Sequence, residues 1–172
     1  KDPGSSVYEL MDLKARNVKP GSEKLIYLPY LMGERAPWWD PYARGVFFGL
    51  ALGHNEEHLI RSVIEGIFFN LKIILDALEE LGFNPKEIRL IGGGAKSELW
   101  CEIAAQVYGK TILRLENLEN ATSFGAALAA GVGSGVYKDF KETEKLSGVA
   151  NRYEPNREVH YKYMKLYDFY KR

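Results

Sequence analysis

The sequence predicts an α/β domain in which helices cover parallel strands, and three observations carry this prediction. Apolar residues recur at helical spacing from Leu59 to Leu78. Two short β-branched runs, IRLIG at 88–92 and TILRL at 111–115, are each followed by a helical pattern, an order typical of parallel sheets. With 172 residues, 46% apolar and 27% charged, the chain has the size and balance of one core-bearing domain.

The first part of the chain is predicted to lead into this domain. Residues 1–23 are expected to be a linker or a short helix, because a helical pattern at 6–16 precedes a Pro-Gly turn. The β-branched and aromatic run at 24–28 predicts a strand that stops at Pro29. The loop at 32–45 contains three large aromatic residues, so we expect it to need a surface on which they can pack.

The longest predicted helix begins after Asn55 and ends near Gly82. Asn55 is a favourable N-cap, and Glu56 and Glu57 suit the positive end of the helix dipole. Gly82 suits the C-terminal end. Gly66 lies inside the helix, where it costs about 1 kcal/mol relative to alanine. We therefore expect a neighbouring element to approach the helix closely at Gly66.

Three further helices are predicted in the second half of the chain. The segment at 97–109 begins with Ser97 as a potential cap, and the segment at 121–133 is rich in small residues. Small residues allow the second of these to lie very close to the sheet or to a bound ligand. Residues 155–172 are predicted to form a terminal helix that docks by an aromatic face, rather than to stack single-stranded nucleic acid. This face consists of Val159, Tyr163, Tyr167 and Tyr170.

Composition argues against several classes of function. Lys plus Arg equals Asp plus Glu at 23 each, which argues against recruitment by duplex nucleic acid or an anionic membrane. The apolar run at 45–53 is too short to span a bilayer, and no signal peptide is visible. Cys101 is the only cysteine and is expected to pack as a small hydrophobe. A reducing, cytoplasmic setting is the default expectation.

Three consecutive glycines, Gly92, Gly93 and Gly94, follow the IRLIG run. In α/β sheets, ligands bind at this position, where exposed N–H groups suit an anionic or polar group and missing side chains leave room for a flat ring. The turn lacks the third glycine of the dinucleotide-binding fingerprint, and Ala95 before Lys96 departs from the P-loop. A tight β–α turn without any ligand remains an open alternative.

Two other candidate sites are expected to be structural. The HNEEH stretch at 54–58 formally matches a zinc-peptidase pattern. An N-cap at Asn55 would place His54 outside the helix, so we predict no metal site. Asp40 stands in a Trp-Asp-Pro context and is expected to be a turn residue rather than a catalytic base.

Several motifs together resemble the FGGY family of carbohydrate kinases. GVFFGLALGHNEEHLIRSVIE at 45–65 resembles the family's second signature, and LPYLMGERAPWWDPYARG at 28–45 is similar to the preceding segment in its xylulokinase and gluconate kinase members. GGGAKSELW at 92–100 is similar to the adenosine-binding turn, and the segment at 120–133 to the small-residue helix after it. Three motifs in the family's order are more specific than any one of them.

The resemblance implies an actin-like, ribonuclease-H-like ATPase domain over 24–154, incomplete at its N-terminal side, with 155–172 as its C-terminal helix. It implies a kinase that uses ATP and Mg²⁺ and phosphorylates a small sugar or polyol, with D-xylulose first and gluconate as the close alternative. By position, the resemblance implies that Gly93, Gly94 and Ala95 line adenine and ribose, with 96–98 at the rim. The implied contacts are Gly92, Gly93, Gly94, Ala95, Lys96, Ser97 and Glu98, the last of which stands where glycerol kinases carry Asn.

The resemblance also implies what this chain does not carry. The family's N-terminal sugar-binding domain, its catalytic aspartate and its phosphate loops have no counterpart here, so no catalytic residue is predicted. The opening hairpin of the actin-like sheet is also absent, which would leave a sheet edge exposed. Glu34 and Arg35 belong to a family hallmark but have no assigned step. The sequence leaves the oligomeric state open, a homodimer included. A non-catalytic actin-like module that binds a protein partner is the alternative of another class, and it predicts no nucleotide affinity.

Overall fold

The computed structural model describes residues 6–116, 121–143, 146 and 148–172. Helix and strand alternate through most of this range, as the sequence predicts. The helices are α1 (Val7–Arg16), α2 (Glu56–Glu80), α3 (Glu98–Tyr108), α4 (Ala121–Gly133), α5 (Phe140–Thr143) and α6 (Arg157–Tyr170), and the strands are β1 (Ile26–Leu28), β2 (Val46–Phe48), β3 (Glu87–Leu90), β4 (Thr111–Leu115) and β5 (Val149–Tyr153).

The described strands form two small sheets. β1 and β2 pair antiparallel, and the second sheet has the order β3-β4-β5. β3 and β4 are parallel, with Ile88 opposite Ile112, which confirms the predicted strand–helix–strand unit. β5 pairs antiparallel with β4, a strand that the sequence analysis did not predict. Among the described strands, β3 has no partner on its other side, so that edge of the sheet is open.

The core lies where α2 crosses α3 and α6. It is built from large apolar side chains that α2 and α3 turn toward each other and from the tyrosines of α6. T-shaped contacts join Phe68 to Tyr108 and to Trp100, with ring centroids 5.8 Å apart in both cases. The most deeply buried members include Phe68, Phe69, Leu99, Cys101, Ile103, Val107, Ile112 and Tyr163.

The predictions for α2 are confirmed at both ends and in its middle. The side chain of Asn55 accepts hydrogen bonds from the backbone N–H of Glu57 and His58. Gly82, just past the helix, has a φ of 92°. Gly66 is buried against β1, where a Cβ atom would lie 2.1 Å from the carbonyl oxygen of Tyr27. The glycine is therefore required by the contact between α2 and β1.

The predicted aromatic face of α6 is also confirmed. Tyr163, Tyr167 and Tyr170 are buried, and all three rings lie within 6 Å of the Phe69 ring, centroid to centroid. The hydroxyl of Tyr167 donates to Asp76 on α2 at 2.6 Å. α6 therefore closes the core over α2 and presents no aromatic stripe to solvent at these positions.

Three sequence expectations need correction. The strand predicted at 24–28 is shorter, because Ser22, Glu23 and Lys24 adopt positive φ angles and form a left-handed turn that ends just before it. The apolar run at 88–91 is typical of a buried strand, but β3 is only half-buried, since Glu87 and Arg89 are exposed. The small-residue helix α4 does not lie close to the sheet, the first of its two expected neighbours: none of its residues is buried, and a cleft separates it from the carboxyl ends of β3 and β4.

Candidate functional site

The glycine turn follows β3 at the carboxyl end of the parallel strands. Gly92 has φ 89° and ψ −172°, a conformation that is accessible essentially only to glycine. A short 3-10 turn over Gly93–Lys96 then leads into α3. Its hydrogen bonds run from Ala95 N–H to Gly92 O and from Ser97 N–H to Gly94 O, both at 3.2 Å.

The seven predicted contact residues divide into an exposed set and a supporting set. Gly92, Gly93, Lys96 and Glu98 are exposed, and a Cβ atom at Gly92 or Gly93 would have no neighbour within 4 Å. Their backbone is therefore accessible to a ligand. The supporting set is Gly94, Ala95 and Ser97.

The supporting residues hold the turn against α3. A Cβ atom on Gly94 would lie 2.7 Å from the ring of Trp100, so a side chain there would disturb the fold itself. Ala95 is fully buried. The hydroxyl of Ser97 accepts from the backbone N–H of Trp100 at 3.3 Å, which confirms Ser97 as the N-cap of α3. The exposed half of the turn thus rests on a packed, hydrogen-bonded base.

Cys101 belongs to this base. Its Sγ lies 3.7 Å from the carbonyl oxygen of Ala95, and the side chain is fully buried, as predicted for a small hydrophobe. Burial raises the pKa of the Cys101 thiol to about 11. The thiol of an unfolded chain ionises first as the pH rises. Cys101 therefore lowers the free energy of unfolding above about pH 8.5 and has no effect on it at lower pH.

We expect Cys101 to resist thiol reagents while the protein is folded. At pH 8 its thiolate fraction is about 200-fold lower than that of a free cysteine, and burial blocks access as well. The rate of reaction with Ellman's reagent in buffer and in 8 M urea measures this directly, because the chain has a single cysteine. Equal rates in the two solutions would contradict the described packing.

An apolar cleft adjoins the glycine turn. It has a volume of about 130 Å³ and lies between the ends of β3 and β4 and the first half of α4. A Cβ atom at Gly125 would meet nothing within 4 Å. The turn offers polar backbone groups, and the cleft beside it offers an apolar slot. The cleft is lined by Ile91, Leu115, Ala121, Phe124, Gly125, Leu128, Leu146 and Gly148.

The aromatic loop is organised by Glu34, which is buried. Its Oε2 accepts from the backbone N–H of Trp38 and Trp39 at 3.0 and 2.8 Å. Asp40 is a turn residue, as predicted, because its Oδ1 accepts from two backbone N–H groups that follow it. Arg35 is exposed. Glu34 therefore shapes the loop, a role that the sequence left unassigned.

The HNEEH stretch does not gather metal ligands. α2 begins after Asn55, so His54 precedes the helix and accepts from the backbone N–H of Ala51, while His58 turns back to the cap. No group of three or more His, Cys, Asp or Glu side chains arranged for a metal ion occurs within the described residues. In the same ranges, no helix has the length and apolar character to cross a bilayer.

Sequence reasoning missed the cleft and the role of Glu34. The cleft is formed by α4, the carboxyl ends of β3 and β4 and two residues that follow α5. These segments are far apart in sequence and carry no shared motif. The role of Glu34 could have been inferred from its place in a loop of aromatic residues and prolines. Backbone N–H groups in such a loop need acceptors, and a carboxylate can supply them.

Comparison with known proteins identifies the chain. The C-terminal domain of the FGGY family of carbohydrate kinases matches residues 2–134. The chain belongs to the FGGY family of carbohydrate kinases. Gluconokinase of Bacillus licheniformis is 34% identical to this FGGY chain over 95% of its length, and xylulose kinase of Bacillus subtilis is 36% identical over 88%. The chain spans 32% and 30% of these relatives, about a third of each.

The solved structures that superimpose on this chain include sugar kinases. Ligand-bound xylulose kinase from Lactobacillus acidophilus superimposes with a TM-score of 0.86 at 33% identity, over 97% of this FGGY chain and 34% of that protein. Glycerol kinase from Plasmodium falciparum, crystallised with ADP, shares the fold with a TM-score of 0.77 at 21% identity, over 94% of this chain and 33% of that one. The chain therefore has the fold of the C-terminal part of the actin-like FGGY sugar kinases.

Proposed function

We propose that this chain is the nucleotide-binding part of an ATP-dependent sugar kinase. The observation that carries the proposal is the exposed, glycine-only backbone at the end of β3, next to an apolar cleft. A nucleotide has matching parts, because its base is flat and largely apolar while its ribose and phosphates are polar. Membership of a kinase family that includes an ADP-bound relative favours the adenine nucleotides.

In this proposal the adenine ring enters the cleft between Ile91 and Phe124. The ribose and the first phosphate lie over the backbone of Gly92 and Gly93, near the N-terminal end of α3, with Lys96 and Glu98 at the rim. Open space above both glycines fits this placement. Gly94, Ala95 and Ser97 act as the base of the site. Mg²⁺ would accompany the outer phosphates, and no residue of this chain is proposed to bind it.

The proposed reaction moves the γ-phosphoryl group of ATP to a sugar hydroxyl, which yields ADP and a sugar phosphate. D-Xylulose, converted to D-xylulose 5-phosphate, is our first substrate, because xylulose kinases recur among the relatives and structures. Gluconate is the second candidate, since gluconokinases are as similar. Positioning of the nucleophile, phosphate and metal requires groups of a sugar-binding domain, including the aspartate that takes the hydroxyl proton.

We further propose that residues 24–154 form the nucleotide-binding domain and that 155–172 complete it as a docked helix. The free, buried thiol of Cys101 is compatible with the reducing cytoplasm that we propose as its compartment. A non-catalytic partner-binding module is the second candidate. It is favoured by the exposed rings of Trp38 and Trp39, which are 56% and 72% accessible.

Substitution of exposed glycines tests the nucleotide site without disturbing the fold. Gly93→Val and Gly125→Val would place branched side chains into open space over the turn and inside the cleft. We expect each to weaken Mg-ATP binding, measured by calorimetry on this chain, by at least about tenfold. Gly133→Val is the matched control, because it makes the same change on α4 where a Cβ has no neighbour and no cleft is lined.

Three outcomes are informative. Loss of binding in the Gly93 and Gly125 variants but not in the Gly133 variant supports the site. Equal binding in all variants would refute it, and absence of nucleotide binding by the parent chain would favour the partner-binding module. ADP release with D-xylulose, gluconate and glycerol, measured in parallel, is expected to stay at background for this chain alone. Sugar-dependent release would refute the assignment of catalytic groups to another domain.

A further inference from the structure

A second concave site lies on another part of the domain. It is a groove of about 650 Å³ between the left-handed turn before β1, the loop after β2 and the last turns of α6. Its volume is in the range of small-molecule sites. It shares no residue with the glycine turn or the α4 cleft. Its apolar surface comes from Ile26, Phe48, Leu166 and Phe169.

The polar groups at the rim of the groove are mainly hydrogen-bond donors. Lys24 and Lys165 are exposed there, and neither pairs with an acidic side chain within the described chain. The Nζ of Lys165 lies 4.5 Å from the ring centroid of Tyr161, a contact that leaves its N–H groups able to donate to an anion. His54 accepts from the backbone N–H of Ala51 through Nδ1, so the proton of its neutral ring is on Nε2, which is then a donor. The lining also contains one carboxylate, Glu23, which is 62% exposed and is outnumbered by these three donors. The rim is thus suited to an acceptor.

One wall of the groove is a strained backbone. Ser22, Glu23 and Lys24 have φ angles of 44°, 50° and 74°, the left-handed region that non-glycine residues rarely adopt. Three such residues in succession cost free energy that the surrounding structure must offset. Strain of this kind concentrates at ligand sites, because it holds groups where relaxed backbone would not. Here it carries Lys24 to the rim.

A buried carboxylate fixes this strained turn. Glu65 of α2 accepts from the backbone N–H of Gly21 and from the hydroxyl of Ser22, both at 2.9 Å. The same carboxylate accepts from Arg61 and from Tyr163, which lie on α2 and α6. The turn is therefore tied to the core of the domain, and this wall of the groove is fixed without any ligand.

We propose that this groove binds a small organic anion with an apolar body, such as an aryl or alkyl sulfonate, carboxylate or phosphate. The apolar part lies against Phe48 and Phe169, and the anionic group meets Lys24, Lys165 and Nε2–H of His54. This charge complementarity, rather than apolar surface alone, defines the ligand class. The site is independent of the proposed nucleotide site and does not require it to be correct.

Two fluorescent probes that differ in charge test the proposal on the full chain. 8-Anilinonaphthalene-1-sulfonate carries the anionic group, and N-phenyl-1-naphthylamine has the same rings without it. We expect the sulfonate to bind at one site and more tightly than the neutral probe. Lys24→Gln and Lys165→Gln are each expected to weaken binding of the sulfonate about fivefold, a modest effect because both lysines are exposed. The affinity for the neutral probe is expected to change by less than about twofold.

Lys162→Gln is the matched control. Lys162 lies on α6 near Lys165, but it pairs with Glu158 and does not line the groove. We expect the Lys162→Gln variant to bind the sulfonate with the same affinity as the parent chain. The proposal is overturned if the two probes bind equally, if several sulfonates bind per chain, or if the two groove lysines have no larger effect than Lys162. All three substitutions are at exposed side chains, so we expect the fold to be retained in each.

Discussion

We expect a Glu65→Gln variant to lose about 3–5 kcal/mol of its free energy of unfolding. Glu65 is 2% exposed, and its two oxygens accept four hydrogen bonds. The donors are the backbone N–H of Gly21, the hydroxyls of Ser22 and Tyr163 and the guanidinium of Arg61. An amide in its place would turn an N–H₂ group toward donors and leave the guanidinium of Arg61 buried without its counter-charge. The strained turn at 22–24 would lose its anchor as well.

Urea denaturation of the parent and variant measures this loss. Glu56→Gln is the matched control: Glu56 begins the same helix and pairs with Lys14, but its side chain is 66% exposed. Its loss is expected to stay below about 1 kcal/mol. A Glu65→Gln variant as stable as the Glu56→Gln variant would show that the buried network does not hold the turn.

Gly66→Ala is the second substitution with a large expected effect. A methyl group at this position would lie 2.1 Å from the carbonyl oxygen of Tyr27 and 3.0 Å from its carbonyl carbon, and backbone cannot move aside as a side chain can. We expect a loss of about 3 kcal/mol, since α2 and β1 must separate to accommodate it. In an isolated helix the same change would be favourable by about 1 kcal/mol. A loss of stability would therefore show that α2 contacts β1 at this position.

The control for this prediction is Gly125→Ala in α4. A methyl group at Gly125 would meet nothing within 4 Å, so helix propensity alone operates and the variant is expected to gain up to about 1 kcal/mol. The midpoints of thermal or urea unfolding of the two variants are therefore expected to shift in opposite directions from that of the parent. A stabilised Gly66→Ala variant would contradict the close approach of α2 to β1.

The two substitutions show how far local sequence patterns reach. The close approach at Gly66, the cap at Asn55 and the buried face of α6 were predictable, because each follows from helical periodicity or from the conformational preference of one residue. Arg61 and Glu65 have the spacing of an ordinary surface pair. Their burial depends on Tyr163, about a hundred positions later in the chain, and no local pattern encodes that.

The candidate site divides in the same way. The position of the glycine turn and the cap at Ser97 followed from the order of strand and helix. Which glycines are exposed did not, because Gly94 is closed by the ring of Trp100 while Gly93 faces open space. The left-handed turn at 22–24 was also unpredictable, since none of its three residues is a glycine and Glu65 imposes it from another element.

Backbone amide NMR of this chain during titration with Mg-ADP tests the central claim most directly. Binding at the glycine turn predicts saturable shifts of the amides of Gly92, Gly93 and Lys96, accompanied by those of Phe124 and Gly125 in the cleft. The groove beside α6 is expected to show no shift with this ligand. Shifts that leave the glycine turn and the cleft unchanged, or a spectrum that does not respond to millimolar Mg-ADP, would contradict the assignment of this chain as a nucleotide-binding domain.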